Sequence, residues 1–178
     1  SKAEVYYTNG HEQINQGHHA DAIPFLEKAI KADPTGNCGT NTKGKAHNDL
    51  GYAYYRSGDT IRAMQFYNEA LRLNHANPYA RINKAALLMV QKKHTLAVKE
   101  LTTLTQTNPD FVDGYLQRGY IYHAENHLEL AKADFEKVLA LNEKNQVTPA
   151  PILKTIEHKV DEINSILKHR HELSATPA

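Results

Sequence analysis

Cysteine occurs once in this chain, at Cys38, and tryptophan not at all. A single cysteine excludes an internal disulfide and any cysteine-rich zinc site. Charge of one sign is missing too. The 21 Lys and Arg stand against 20 Asp and Glu, a net charge of +1 over 178 residues. That balance excludes the basic footprint of a general nucleic-acid binder. No apolar run approaches the roughly 20 residues that span a bilayer, and the first residues read as helix, not as a signal peptide. The nine glycines are scattered and build neither of the phosphate-cradling patterns, G-x-x-x-x-G-K-[ST] or G-x-G-x-x-G. What is present, 40% hydrophobic and 23% charged residues, is too apolar for disorder and too polar for a membrane protein.

The informative feature is an internal repeat. Ala22, Ala63, Ala97 and Ala131 each open a similar phrase, and the last three are 34 residues apart. The first interval is 41, a period of 34 plus seven inserted residues. Twelve residues before each alanine stands a small residue: Gly10, Gly51, Ala85 and Gly119. Four residues after it comes a large one: Leu26, Tyr67, Leu101 and Phe135. Small residues at the crossing of two helices permit close backbone approach. Turns fall at Gly17, Gly58 and Asn126, residue types that accept the left-handed conformation ending a helix. Lys92 holds the same place in the third unit, where strain or a different turn is expected.

A period of 34 with this small–large rhythm resembles the tetratricopeptide repeat (TPR) family. The pattern is clearest at Leu50-Gly51-Tyr52-Ala53-Tyr54 with Ala63, Tyr67 and Ala70, and recurs at Tyr115, Gly119, Tyr122, Ala131 and Phe135. Lys84 and Arg118 depart from it, standing where an apolar residue is usual. The resemblance implies an all-α fold, a right-handed superhelical solenoid of helix–turn–helix repeats. One domain over 1–178 is expected, with repeats at 3–36, 44–77, 78–111 and 112–145. The inter-repeat insertion 37–43 reads as a surface loop dispensable for folding. A capping helix is expected over about 152–171, its buried stripe formed by Leu153, Ile156, Val160, Ile163 and Leu167, followed by a frayed tail at 172–178.

No constellation for catalysis is visible. The eleven histidines lack any metal-ligand pattern and are expected to be solvated at the surface. Cys38 reads as an exposed thiol with no positioned base. Neither a cofactor nor a metal is expected, and the compartment is not legible.

The ten tyrosines say more. The resemblance implies a concave groove lined by the first helix of each repeat. Its places fall at Tyr7 and His11, then Asn48, Asp49, Tyr52 and Tyr55, then Tyr79, Asn83 and Met89, and finally Gln117 and Tyr120. A column of hydrogen-bonding side chains, Thr8, Asp49, Asn83 and Gln117, runs beside a column of aromatics, which suits an extended peptide. Family members that hold the acidic tails of heat-shock chaperones carry a clamp of Lys, Asn, Asn, Lys and Arg. Those places here hold Tyr7, His11, Asp49, Tyr79 and Asn83 or, one repeat later, Asn48, Tyr52, Asn83, Asp113 and Gln117. Neither set contains a Lys or Arg, which argues against that clamp. The expected function is therefore a non-catalytic protein–protein interaction scaffold that binds a peptide or helix of a partner protein in its groove. The alternative is a self-assembly module, a homo-oligomer joined through the terminal helix or the exposed first repeat. Neither nucleic acid nor a membrane span belongs to either reading.

Overall fold

A computed structural model describes residues 1–177, and among them the secondary structure is all helical. In order the helices are α1 (Lys2–Asn15), α2 (His19–Ala32), α3 (Lys45–Arg56), α4 (Thr60–Leu73), α5 (Pro78–Val90), α6 (His94–Thr107), α7 (Val112–Ala124), α8 (Leu128–Asn145) and α9 (Ala150–Ala175). They fall into two compact units, Ser1–Glu100 and Leu101–Ala178, whose boundary lies within α6.

In the first unit each helix from α1 to α5 packs on the next in sequence. The small residues act as the repeat pattern requires. A Cβ on Gly10 would stand 2.7 Å from Leu26 Cγ, and one on Gly51 would stand 2.8 Å from the Tyr67 ring. Leu26, Ala22, Ala63 and Tyr67 are all buried, so the large residue of each second helix seats directly on the glycine of its first. Lys84 departs from the apolar pattern and is stabilised by charge. Its Nζ lies 2.9 Å from Glu100, and Arg81 binds the same carboxylate at 2.6 Å. Truncating either cation would leave a mostly buried acid underpaired.

The second unit repeats the scheme. Gly119 admits the Phe135 ring, with an added Cβ only 2.7 Å away. Arg118, the other departure, forms a bidentate pair with Asp134 at 2.7 and 2.8 Å and also donates to Thr102 and Thr105. Helix α9 lays Ile156, Val160 and Ile163 into a core with Val138, Leu141 and Phe135. It continues to Ala175, four residues past the expected end at His171, because Glu172 and Ser174 extend it with no proline or glycine before Pro177. Of the tail expected at 172–178, Ala178 lies outside the described residues.

All four turns within the helical pairs use the left-handed region at one register place: Gly17 (φ 80°), Gly58 (φ 91°), Lys92 (φ 57°) and Asn126 (φ 62°). Lys92 thus makes the same turn as its counterparts and carries the strain expected of a non-glycine there. Asp59 caps α4 by accepting the Arg62 N–H at 3.0 Å.

Two expectations need correction. Cys38 is not an exposed thiol but 1% exposed, inside the core of the first unit. The insertion that carries it folds back on α2: Cys38 donates its backbone N–H to Asp33 Oδ2 at 2.8 Å, and Gly44 and Ala46 donate to the carbonyls of Thr35 and Gly36. Burial and the nearby Asp33 carboxylate push the Cys38 thiol up to about 11, away from reactivity. His47 is not a solvated histidine either. It is 4% exposed, beside Gly36, and desolvation lowers its pKa, so burial favours the neutral ring.

Candidate functional site

In the first unit, the residues expected to line the groove come from α1, α3 and α5. Helix periodicity explains the set. Tyr7 and His11 are one turn apart on α1, Asn48, Asp49, Tyr52 and Tyr55 share a side of α3, and Tyr79 and Asn83 are one turn apart on α5.

Asp49, 9% exposed, organises the α1–α3 contact. The Tyr7 hydroxyl donates to its Oδ2 at 2.7 Å, and His11 Nδ1 stands 3.4 Å from the same oxygen. Tyr7 and His11 also stack, with ring centroids 5.7 Å apart. Burial, reinforced by the Asp49 charge, pushes the Tyr7 phenol well above its ordinary pKa, so it stays a donor. The bond to Asp49 raises the His11 imidazole.

The α3–α5 contact is a pair of amides. Asn83 Nδ2 donates to Asn48 Oδ1 at 3.0 Å, and Asn48 leans on Asp49 at 3.5 Å. A chain of polar side chains thus runs from Tyr7 through Asp49 and Asn48 to Asn83, across three first helices. Beside it lies a hollow of about 250 Å3 lined by Lys45, Asn48, Asp49, Tyr52, Tyr79 and Asn83. Tyr52 is half-buried, its hydroxyl accepting from Arg56 at 2.8 Å, and Tyr79 is 60% exposed.

Not every expected residue joins this set. Thr8 returns its hydroxyl to the Glu4 carbonyl at 2.8 Å and takes no part in the chain. Tyr55 packs against the core of the first unit, and Met89 is half-buried away from the hollow. Gln117 and Tyr120 belong to the second unit, where Gln117 is exposed and Tyr120 meets Phe135 edge-on at 5.5 Å. Sequence reasoning missed Lys45. The family register names places later on α3, but Lys45 opens that helix one turn before Asn48 and Asp49, a spacing that could have drawn attention to it. Among the described residues, no group of three or more His, Cys, Asp or Glu could hold a metal ion, and no helix is long and apolar enough to cross a membrane.

Comparison with known proteins turns the repeat into a family. Tetratricopeptide repeat matches cover residues 3–35, 44–77 and 112–145, more than half of the chain. The chain belongs to the tetratricopeptide repeat family. Human DnaJ homolog subfamily C member 3 is 29% identical over 121 residues, covering 67% of this chain but only 24% of that protein. The chain thus spans about a quarter of the length of the curated relatives it matches first. Among solved structures, one from a study of Pseudomonas aeruginosa pilF superposes with a TM-score of 0.73 at 21% identity, covering 97% of this chain and 71% of that one. The first TPR of Spaghetti (RPAP3), solved bound to the HSP90 peptide SRMEEVD, gives 0.58 at 23% identity over 70% of this chain and 93% of that one. These likenesses establish an all-α TPR solenoid fold.

Proposed function

We propose that the chain is a non-catalytic interaction scaffold, and that the face formed by α1, α3 and α5 binds an extended peptide segment of a partner protein. The observation that carries this reading is the polar chain Tyr7–Asp49–Asn48–Asn83 beside a hollow walled by Tyr52 and Tyr79. An extended peptide exposes backbone N–H and C=O groups that need partners, and its side chains need apolar walls. Amides at Asn48 and Asn83 offer both donor and acceptor capacity, and the tyrosines offer broad contact area at low rotamer cost. Internal bonding holds the polar groups in place before a ligand arrives, which reduces the ordering cost of binding. The Spaghetti repeat, which shares the fold, holds a seven-residue peptide, a precedent for peptide capture on this architecture.

The test is selection of heptapeptides from a random library against the full chain. Tyr52→Ala and Asn83→Ala should each weaken a selected peptide by roughly 1–3 kcal/mol, the range for truncating an interface anchor. Circular dichroism confirms that both variants fold. Unchanged affinity in the double variant places binding elsewhere on the molecule.

A further inference from the structure

We propose that the insertion and the α4–α5 turn build a hydrogen-bond-donor subsite beside the groove, which takes the carboxylate of an Asp or Glu side chain in the bound peptide. This rests on the peptide-binding reading above. A second hollow, of about 320 Å3, shares Lys45, Asn48 and Tyr79 with the first and extends between the insertion, through Thr40 and Thr42, and the turn, through Asn74 and Asn77. The insertion therefore supplies a wall of the binding face.

The chemistry of this hollow follows from which polar atoms are already used. Asn74 Oδ1 accepts the Ala76 N–H at 3.2 Å. Asn77 Oδ1 accepts the N–H groups of Tyr79 and Ala80 at 3.1 and 3.2 Å. These bonds fix the orientation of both amides, filling both lone pairs of Asn77 Oδ1 and one of Asn74 Oδ1. The Thr40 hydroxyl donates to the Asn37 carbonyl at 2.6 Å. The donors that the walls hold are the NH2 groups of Asn74 and Asn77 and the Lys45 ammonium, the one formal charge among the lining residues, which forms no ion pair with any described residue. Asn77 is 4% exposed, its side chain held by the two bonds that cap α5. Asp49 lines the neighbouring hollow, not this one, and is engaged by Tyr7. A carboxylate accepts several donors at once in short charge-assisted bonds. A ligand cation would face Lys45, and a neutral amide would leave that charge unpaired. The two hollows share a wall, so a peptide lying along Tyr52 and Asn83 reaches the subsite with a side chain and need not end there. The subsite lies outside the five family places at which Lys and Arg are absent.

The experiment uses N-acetylated, C-amidated random heptapeptides selected on the full chain and on Lys45→Gln and Lys45→Glu variants, with a parallel library bearing C-terminal carboxylates. The full chain should favour Glu or Asp over Gln at one position by at least tenfold. Lys45→Gln should abolish that preference, and Lys45→Glu should replace it by one for Lys or Arg at the same position. Capped peptides that bind without any acidic preference overturn the subsite and leave the groove reading standing. Selection only from the uncapped library places the carboxylate at the peptide terminus and overturns the side-chain assignment. If no peptide is retained by any form of the chain, the groove reading fails and the subsite with it.

Discussion

The connections leading into α3 and α5 occupy corresponding places in the repeat and are built differently. The α4–α5 connection has four residues, Asn74 to Asn77, and ends in a side-chain cap with Pro78 at the first helical position. The α2–α3 connection runs from Asp33 to Gly44 and contains a hub. Asp33 accepts from Thr35 twice and from the Cys38 backbone, Cys38 enters the core, and left-handed residues at Gly36, Cys38, Gly39, Asn41 and Gly44 fold the segment back. The difference teaches that added length need not be slack. A loop that satisfies its own backbone and buries a side chain becomes a structural element, and here it borders the proposed binding face.

Deleting residues 37–43 breaks this comparison most severely. Loop closure alone favours the deletion, by about 0.6 kcal/mol per halving of length. Against that stand the loss of Cys38 from the core and of a charge-assisted hydrogen bond, the latter alone worth about 1.5–3 kcal/mol. The deletion should therefore destabilise by about 3 kcal/mol or more in urea unfolding, and equal or higher stability would return the insertion to the status of a slack loop.

Gly44→Ala is the next largest effect. At φ 78°, an added Cβ meets the Ala70 carbonyl oxygen at 2.7 Å, backbone that cannot swing aside. Gly58 has φ 91° but open space around it. Left-handed strain costs about 1–2 kcal/mol at either place, so Gly44→Ala should exceed Gly58→Ala by the overpacking penalty, about 1–3 kcal/mol. Equal losses would mean that the α2–α3 connection does not press on α4. On the shorter connection, Asn77→Ala removes the α5 cap and should cost about 1 kcal/mol.

The smallest effect is a pH dependence. Hydrogen bonds from Thr35 and Cys38 hold the Asp33 carboxyl below its ordinary pKa. A depressed pKa means that the folded state binds its proton more weakly than the unfolded chain. The stabilisation is thus present above the unfolded value of about 3.9 and lost as pH falls through the lower folded value. Wild type should lose part of its margin over Asp33→Asn as pH is lowered from 5 through that window, read from urea midpoints. A margin that does not change with pH would detach Asp33 from the hub.

Much of this was legible in the sequence. Small and large residues in 34-residue register gave the helix pairs, and the departures at Lys84 and Arg118 carried a signal too. Each has an acid sixteen residues later, Glu100 and Asp134, so the paired charges could have been read from the same period. The insertion resisted because its burial follows from backbone turns at Cys38 and Asn41, conformations that composition does not announce. A polar, glycine-bearing segment looks solvated until its Asp33 anchor is seen. Lys45 was overlooked for another reason. It lines a hollow together with residues of the insertion and of the α4–α5 turn, a placement that depends on how the insertion folds and not on the repeat register.

The central claim, peptide capture on the α1–α3–α5 face, is tested most directly by an NMR titration of the isotopically labelled full chain with a selected heptapeptide. Side-chain amide signals of Asn48, Asn77 and Asn83 and the ring signals of Tyr52 and Tyr79 should shift together along one binding curve. Saturable binding that leaves these five residues unmoved would contradict the account.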